Sequence, residues 1–216
     1  MLPKHSGGGV RLAGLALIAL GCGGGGHAPA PALPVAAKNA LLTPRDFSAI
    51  ADRDDRARAI FVEASRVMLH PRCKNCHPAG DSPAQGDHGR PHDPPVARGP
   101  EDTGVPALEC TSCHQDRNAE LARVPGAPNW HLAPIAMAWE GKTPGALCAQ
   151  LKDRERNGDK SLREIVEHAA SDELVAWGWA PGHDREPAPG TQAAFAALVD
   201  AWVNEGAACP KDEVKR

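Results

Sequence analysis

The sequence predicts an all-α, loop-rich fold with a single folded domain over about residues 43–210. Three observations carry this. Apolar residues recur at helical spacing in several segments, and capping residues open most of them. No segment reads as a convincing strand. The 216 residues include 22 Gly and 21 Pro, so much of the chain between helices must be loop. Hydrophobic residues make up 42% and charged residues 24%, enough for a folded domain. Aromatics are scarce, with five Trp, three Phe and no Tyr. A polypeptide core this poor in rings is thin unless something else fills it.

The N-terminus reads as an address. Lys4 and Arg11 precede residues 12–20, LAGLALIAL, a short apolar run of the kind that directs export. It ends in Ala19-Leu20-Gly21-Cys22, which resembles a bacterial lipoprotein cleavage site with Cys22 as the lipidated residue. Residues 1–21 are then a signal peptide and 22–42 a Gly/Pro/Ala linker, followed by the domain at 43–210 and a tail at 211–216. No apolar run reaches the ~18 residues of a membrane-spanning helix, so the membrane is met only through the lipid anchor. A net charge of −3 argues against a nucleic-acid partner.

Within the domain, Thr43-Pro44-Arg45-Asp46 has Thr at an N-cap and Pro at the first helical position. Ala57, Ile60, Phe61, Ala64, Val67 and Met68 form an apolar stripe on a helix that ends near Leu69, because Pro71 pushes its predecessor out of the α region. Residues 78–108 read as a long loop over the first Cys/His cluster, at 73–77, and residues 115–141 as a similar loop, broken by Pro125, Pro128 and Pro134. Thr143-Pro144 opens a helix that stops at Asn157-Gly158. Ser161 and Glu164 form a capping box ahead of Leu162, Ile165, Val166 and Ala169. Thr191 caps a last helix whose stripe is Phe195, Leu198, Val199, Trp202 and Val203, stopped near Gly206.

The seven cysteines sort without remainder. Cys22 belongs to the signal. Cys73, Cys76 and His77 form one C-x-x-C-H, and Cys110, Cys113 and His114 a second. Cys148 and Cys209 remain as an even pair, which the oxidising compartment of an exported protein predicts to be a disulfide. C-x-x-C-H is the attachment signature of c-type haem. Two thiols at this spacing reach the two vinyl groups of one porphyrin edge, and the following His supplies an axial iron ligand. Chance would place roughly 0.01 such motifs in a chain of this composition. The competing readings are zinc sites built from the same Cys and His, and a redox-active dithiol. Two haem c groups per chain are the expected cofactor, with His77 and His114 as proximal ligands, and they would fill the thin core.

The sixth ligand decides the chemistry. A second His or a Met closes the iron for electron transfer, and an open face permits ligand binding or peroxide chemistry. The candidates are Met137 and His92, with His131, His168 and His70 in reserve. His88 and His183 read as surface loop residues, and His27 as linker.

The two motifs make the chain resemble di-haem c-type cytochromes. A helix running into the first motif, a proline-rich loop returning Met137 over a ring, and a last helix packing across the first resemble features of the cytochrome c fold. The resemblance implies a cytochrome c-like domain wrapped around two covalent haems. His70-Pro71-Arg72-Cys73-Lys74-Asn75-Cys76-His77-Pro78, Val124-Pro125-Gly126-Ala127-Pro128-Asn129-Trp130, Met137-Ala138-Trp139-Glu140-Gly141 and Trp177-Gly178-Trp179 also resemble a family of small exported bacterial di-haem proteins. Some members are labelled isoquinoline 1-oxidoreductase subunit. That resemblance implies an electron carrier between a dehydrogenase (a molybdenum hydroxylase for that label) and the respiratory chain, on the periplasmic side of a bacterial membrane. Its partners are then other redox proteins, and it is not itself an enzyme. The alternative is a di-haem peroxidase-like enzyme with one open-coordinate haem.

Overall fold

The computed structural model describes Met1 and residues 33–212. The signal peptide, Cys22, most of the linker and the last four residues of the tail lie outside the described residues. The described domain is helical and rich in loops, with two very small sheets.

Thr43 and Asp46 do form a capping box, but it closes only a 3-10 turn, Pro44–Phe47. The long helix α1, Arg53–Met68, starts afresh where the Asp52 side chain accepts from the Asp55 backbone N–H at 2.8 Å. Asp54 and Asp55 in its first turn complement the positive end of the helix dipole. The stripe from Ala57 to Met68 is buried as its spacing predicts. The folded unit also begins earlier than residue 43. Arg66 on α1 donates to the carbonyls of Ala37, Lys38 and Ala40, and Glu63 accepts from the Leu42 N–H, which pins residues 37–42 to the helix.

Leu69 caps α1, and His70 immediately caps a single-turn helix α2, Pro71–Lys74. The long loop that follows is not structureless. It holds two antiparallel ribbons, β1 Ala84–Gln85 with β2 Arg90–Pro91, and β3 Gly104–Val105 with β4 Leu108–Glu109. Two-residue strands are too short to leave a periodic signal.

The helix opened by Thr143, α3 at Pro144–Leu151, is shorter than expected. The Asp153 side chain starts a separate 3-10 turn, Arg154–Arg156, and the buried Asn157 amide bonds the carbonyls of Leu151 and Lys160 to close the connection. The Ser161/Glu164 box opens α4, Leu162–Ser171. Asp172 caps the short α5, Glu173–Ala176. Thr191 opens α6, Gln192–Asn204, which packs against both α1 and α4. Phe61 and Trp202 meet there with ring centroids 4.8 Å apart, and Trp202 is fully buried.

Cys148 on α3 and Cys209 beyond α6 form a disulfide that spans 61 residues of sequence. A loop of that length is stabilised by about 4 kcal/mol in the chain-entropy model. Replacing both cysteines by Ala is expected to lower unfolding free energy by about that amount in urea titrations of the oxidised protein. A loss under about 1 kcal/mol would show that the bond does not constrain the unfolded chain.

Candidate functional site

The first motif begins on α2 and runs into the turn after it. The Cys76 N–H donates to the Cys73 carbonyl and the His77 N–H to the Lys74 carbonyl, so the helical path continues through the motif. Residues three and four apart share a helix face, which puts Cys73, Cys76 and His77 on one side. The second motif follows the same logic with a 3-10 turn, Cys110–Ser112, and a His114 N–H donated to the Cys110 carbonyl. The four motif cysteines are free.

Each motif opens onto its own cavity. One, about 370 Å³, is lined by Cys73, Cys76 and His77 together with Phe61, Ile165 and His168. The other, about 610 Å³, is lined by Cys110, Cys113 and His114 together with His92 and Trp130. Both volumes fall in the ~300–1,000 Å³ range of cofactor pockets. Arg72, Cys76, His131 and Trp177 border both, so the two cavities share a wall.

The two motif histidines are held alike. His77 Nδ1 lies 2.8 Å from the Met137 carbonyl, and its ring stacks on Trp139 with centroids 3.5 Å apart. His114 Nδ1 lies 2.7 Å from the Pro125 carbonyl, and its ring stacks on Trp130 at 4.6 Å. A carbonyl at Nδ1 fixes that nitrogen as the donor and leaves Nε2 as a free lone pair, the form that ligates a metal. Burial pushes His77 down to about 4, against the pull of the Met137 carbonyl, so the ring is neutral at neutral pH. Burial lowers His114 in the same way. The turn behind His114 needs glycine at 126, because a Cβ there would come within 2.3 Å of the Gln115 carbonyl oxygen.

Met137 therefore stands behind His77. The Met137 backbone orients His77, and its side chain lines the same cavity. His70 lines neither cavity, because its Nδ1 caps α2 by accepting from the Arg72 N–H.

The other candidate histidines line the cavities as well. His92 comes to the His114 cavity, its Nδ1 2.8 Å from the Pro94 carbonyl and its ring centroid 5.9 Å from that of His114. With metal–nitrogen bonds of about 2 Å, two imidazoles sharing one ion have centroids about 6 Å apart. His168 lines the His77 cavity from α4, with Nδ1 3.2 Å from Asp172 Oδ2. The other Asp172 oxygen is fixed by the Val175 N–H. Burial lowers the pKa of His168 while Asp172 raises it. His131 borders both cavities, its Nδ1 bonded to the Asn129 carbonyl. His88 is exposed at the edge of the larger cavity, and His183 lines neither.

The loops are also assigned differently from expectation. Residues 83–96, read as a cover for the first motif, line the cavity of the second. Residues 133–139 instead clamp the first motif, through an Ala133 N–H donated to the Cys76 carbonyl and a Trp139 N–H donated to that of His77. Sequence reasoning missed Trp130, Trp139 and Arg72 as site residues. In a chain with so few rings, a Trp near each clamp was the available signal.

Chemistry separates the readings of the motif. Burial pushes the Cys73 thiol up to about 12 and Cys76 up to about 11, whereas a redox-active dithiol needs a thiolate at neutral pH. The residues present fit haem. Each thiol pair lies on a cavity wall beside a neutral imidazole. Three buried polar atoms without a partner, Arg72 Nε, Asn75 Oδ1 and Trp139 Nε1, belong to residues lining these cavities. No family model matches the chain, and neither does any curated protein or solved structure.

Proposed function

We propose that this chain is an electron-transfer protein carrying two covalently attached c-type haems. Cys73 and Cys76 would hold one through thioethers with His77 as its axial ligand. Cys110, Cys113 and His114 would hold the other in the same way. Bound haem supplies a one-electron iron couple, and the protein sets its potential through ligands, burial and nearby charge. The observation that carries the reading is the pairing in each cavity of a C-x-x-C-H motif with a second imidazole anchored at Nδ1. His92 serves the His114 site and His168 the His77 site. Two imidazoles close an iron to outside ligands, which favours electron carriage over peroxide chemistry. The shared wall favours passage of electrons between the sites within the chain.

The protein's own residues do the positioning. The Met137 and Pro125 carbonyls fix the rotation of the two proximal rings, and Trp139 and Trp130 stack against them. Phe61, Met68, Ile165 and Val199 keep water from the His77 site. Its partners would be a dehydrogenase and an acceptor of the respiratory chain, met on the periplasmic side through small, transient contacts, with Cys22 as the lipid anchor.

The test is a pyridine haemochrome assay on the full chain made in a host that matures c-type cytochromes. Two haems per chain are expected. A purified protein with zinc and no haem would overturn the reading.

A further inference from the structure

A buried arginine between the two cavities has no role in the arrangement described so far. The Arg72 side chain is 1% exposed. It precedes Cys73 on α2 and lines both cavities. One donor, Nη2, reaches Asp87 Oδ1, while Nε is buried with no partner. The guanidinium carbon lies 5.8 Å from the centroid of the Trp177 ring, which is itself part of the shared wall. Leaving a charged donor unpaired in the interior costs free energy. Arginine keeps its charge in proteins, so the site cannot relieve that cost by losing a proton. Asp87 offsets the charge only in part, because its side chain is 34% exposed and its Oδ1 also accepts from the Glu186 N–H. Arg185 lines the larger cavity alone, and its guanidinium is taken up by the carbonyls of Pro181 and Arg123.

We propose that Arg72, held in the wall between the two cofactor sites, is the charge that raises the reduction potential of both haems together. The proposal rests on the haem reading above. Haem carries carboxylates, and the unpartnered Nε–H is a donor suited to one. A positive charge held in a low-dielectric wall stabilises the reduced, more negative form on either side of it. Trp177 keeps the cation at the boundary through its ring face.

The experiment is spectroelectrochemical titration of the full-length holoprotein and three variants. Arg72→Gln is expected to shift both reduction equilibria toward the oxidised form by about tenfold, or about 59 mV for a one-electron couple. Arg72→Lys is expected to retain most of the native value. Asp87→Asn frees Arg72 of its counter-charge and is expected to shift both equilibria the opposite way. The proposal fails if Arg72→Gln moves one haem only or neither, or if it and Asp87→Asn move the potentials in the same direction. If Arg72→Gln does not fold, Asp87→Asn decides by itself. An upward shift of both haems supports the proposal, and unmoved potentials overturn it. A haemochrome assay on the same samples separates the two failures. Absent haem sinks the haem reading, whereas two haems with unmoved potentials sink only the role of Arg72.

Discussion

Replacing Cys73 and Cys76 together by Ala is expected to abolish the folded domain, whereas the same change at Cys110 and Cys113 should leave a folded protein with one haem. The difference comes from what surrounds each cavity. The His77 cavity is walled by Phe61 and Met68 of α1, Ile165 and Ala169 of α4, and Phe195 and Val199 of α6. These helices are the core. An empty space of about 370 Å³ among them would cost several kcal/mol, on the scale of a whole domain's stability. The His114 cavity is walled mainly by the ribbon at 84–91 and the loops around it. Its loss should loosen those loops and spare the helices. Far-UV circular dichroism and haemochrome stoichiometry on both variants check this. Equal helicity in the two would mean that the first haem is not part of the core.

The division between core and loops also separates what was legible in the sequence from what was not. The stripes of α1, α4 and α6 were legible because burial of one helix face imposes a period on the side chains. Their caps at Ser161 and Thr191 were legible because only a few side chains satisfy a free N–H at a helix start. Thr43 misled for the same reason, since the box it forms with Asp46 closes a short turn as readily as it opens a long helix. The C-x-x-C-H motifs were legible because their geometry is local. The backing of each imidazole was not, because a backbone carbonyl has the same chemistry at every position. Nothing in Met137 as a residue type reveals that its oxygen bonds His77. The loop assignments failed in a related way. Segments without periodicity carry no record of which motif they cover, so proximity in sequence suggested the first motif for residues 83–96, and the fold places them over the second.

Opening one iron at a time follows from the two distal assignments. The reduced native protein is expected to bind no carbon monoxide. His168→Ala should create one site per chain, His92→Ala another, and the double variant two. Alanine is the best helix former, so the change on α4 should leave the helix intact. His92 lies on a loop whose backbone does not depend on the imidazole beyond the bond to the Pro94 carbonyl. The Asp172→Asn variant isolates orientation from ligation. Asp172 holds His168 at Nδ1 and the Val175 N–H with its other oxygen, so the neutral amide should weaken the ligand without removing it. Carbon monoxide should then bind only in competition with His168, more slowly than in His168→Ala and to the same haem. Difference spectra during carbon monoxide titration distinguish these cases. Stoichiometric binding to the unaltered protein would overturn the closed-coordination reading and favour an enzyme with one open iron, since a ligand that enters without displacing a side chain requires a vacant sixth position.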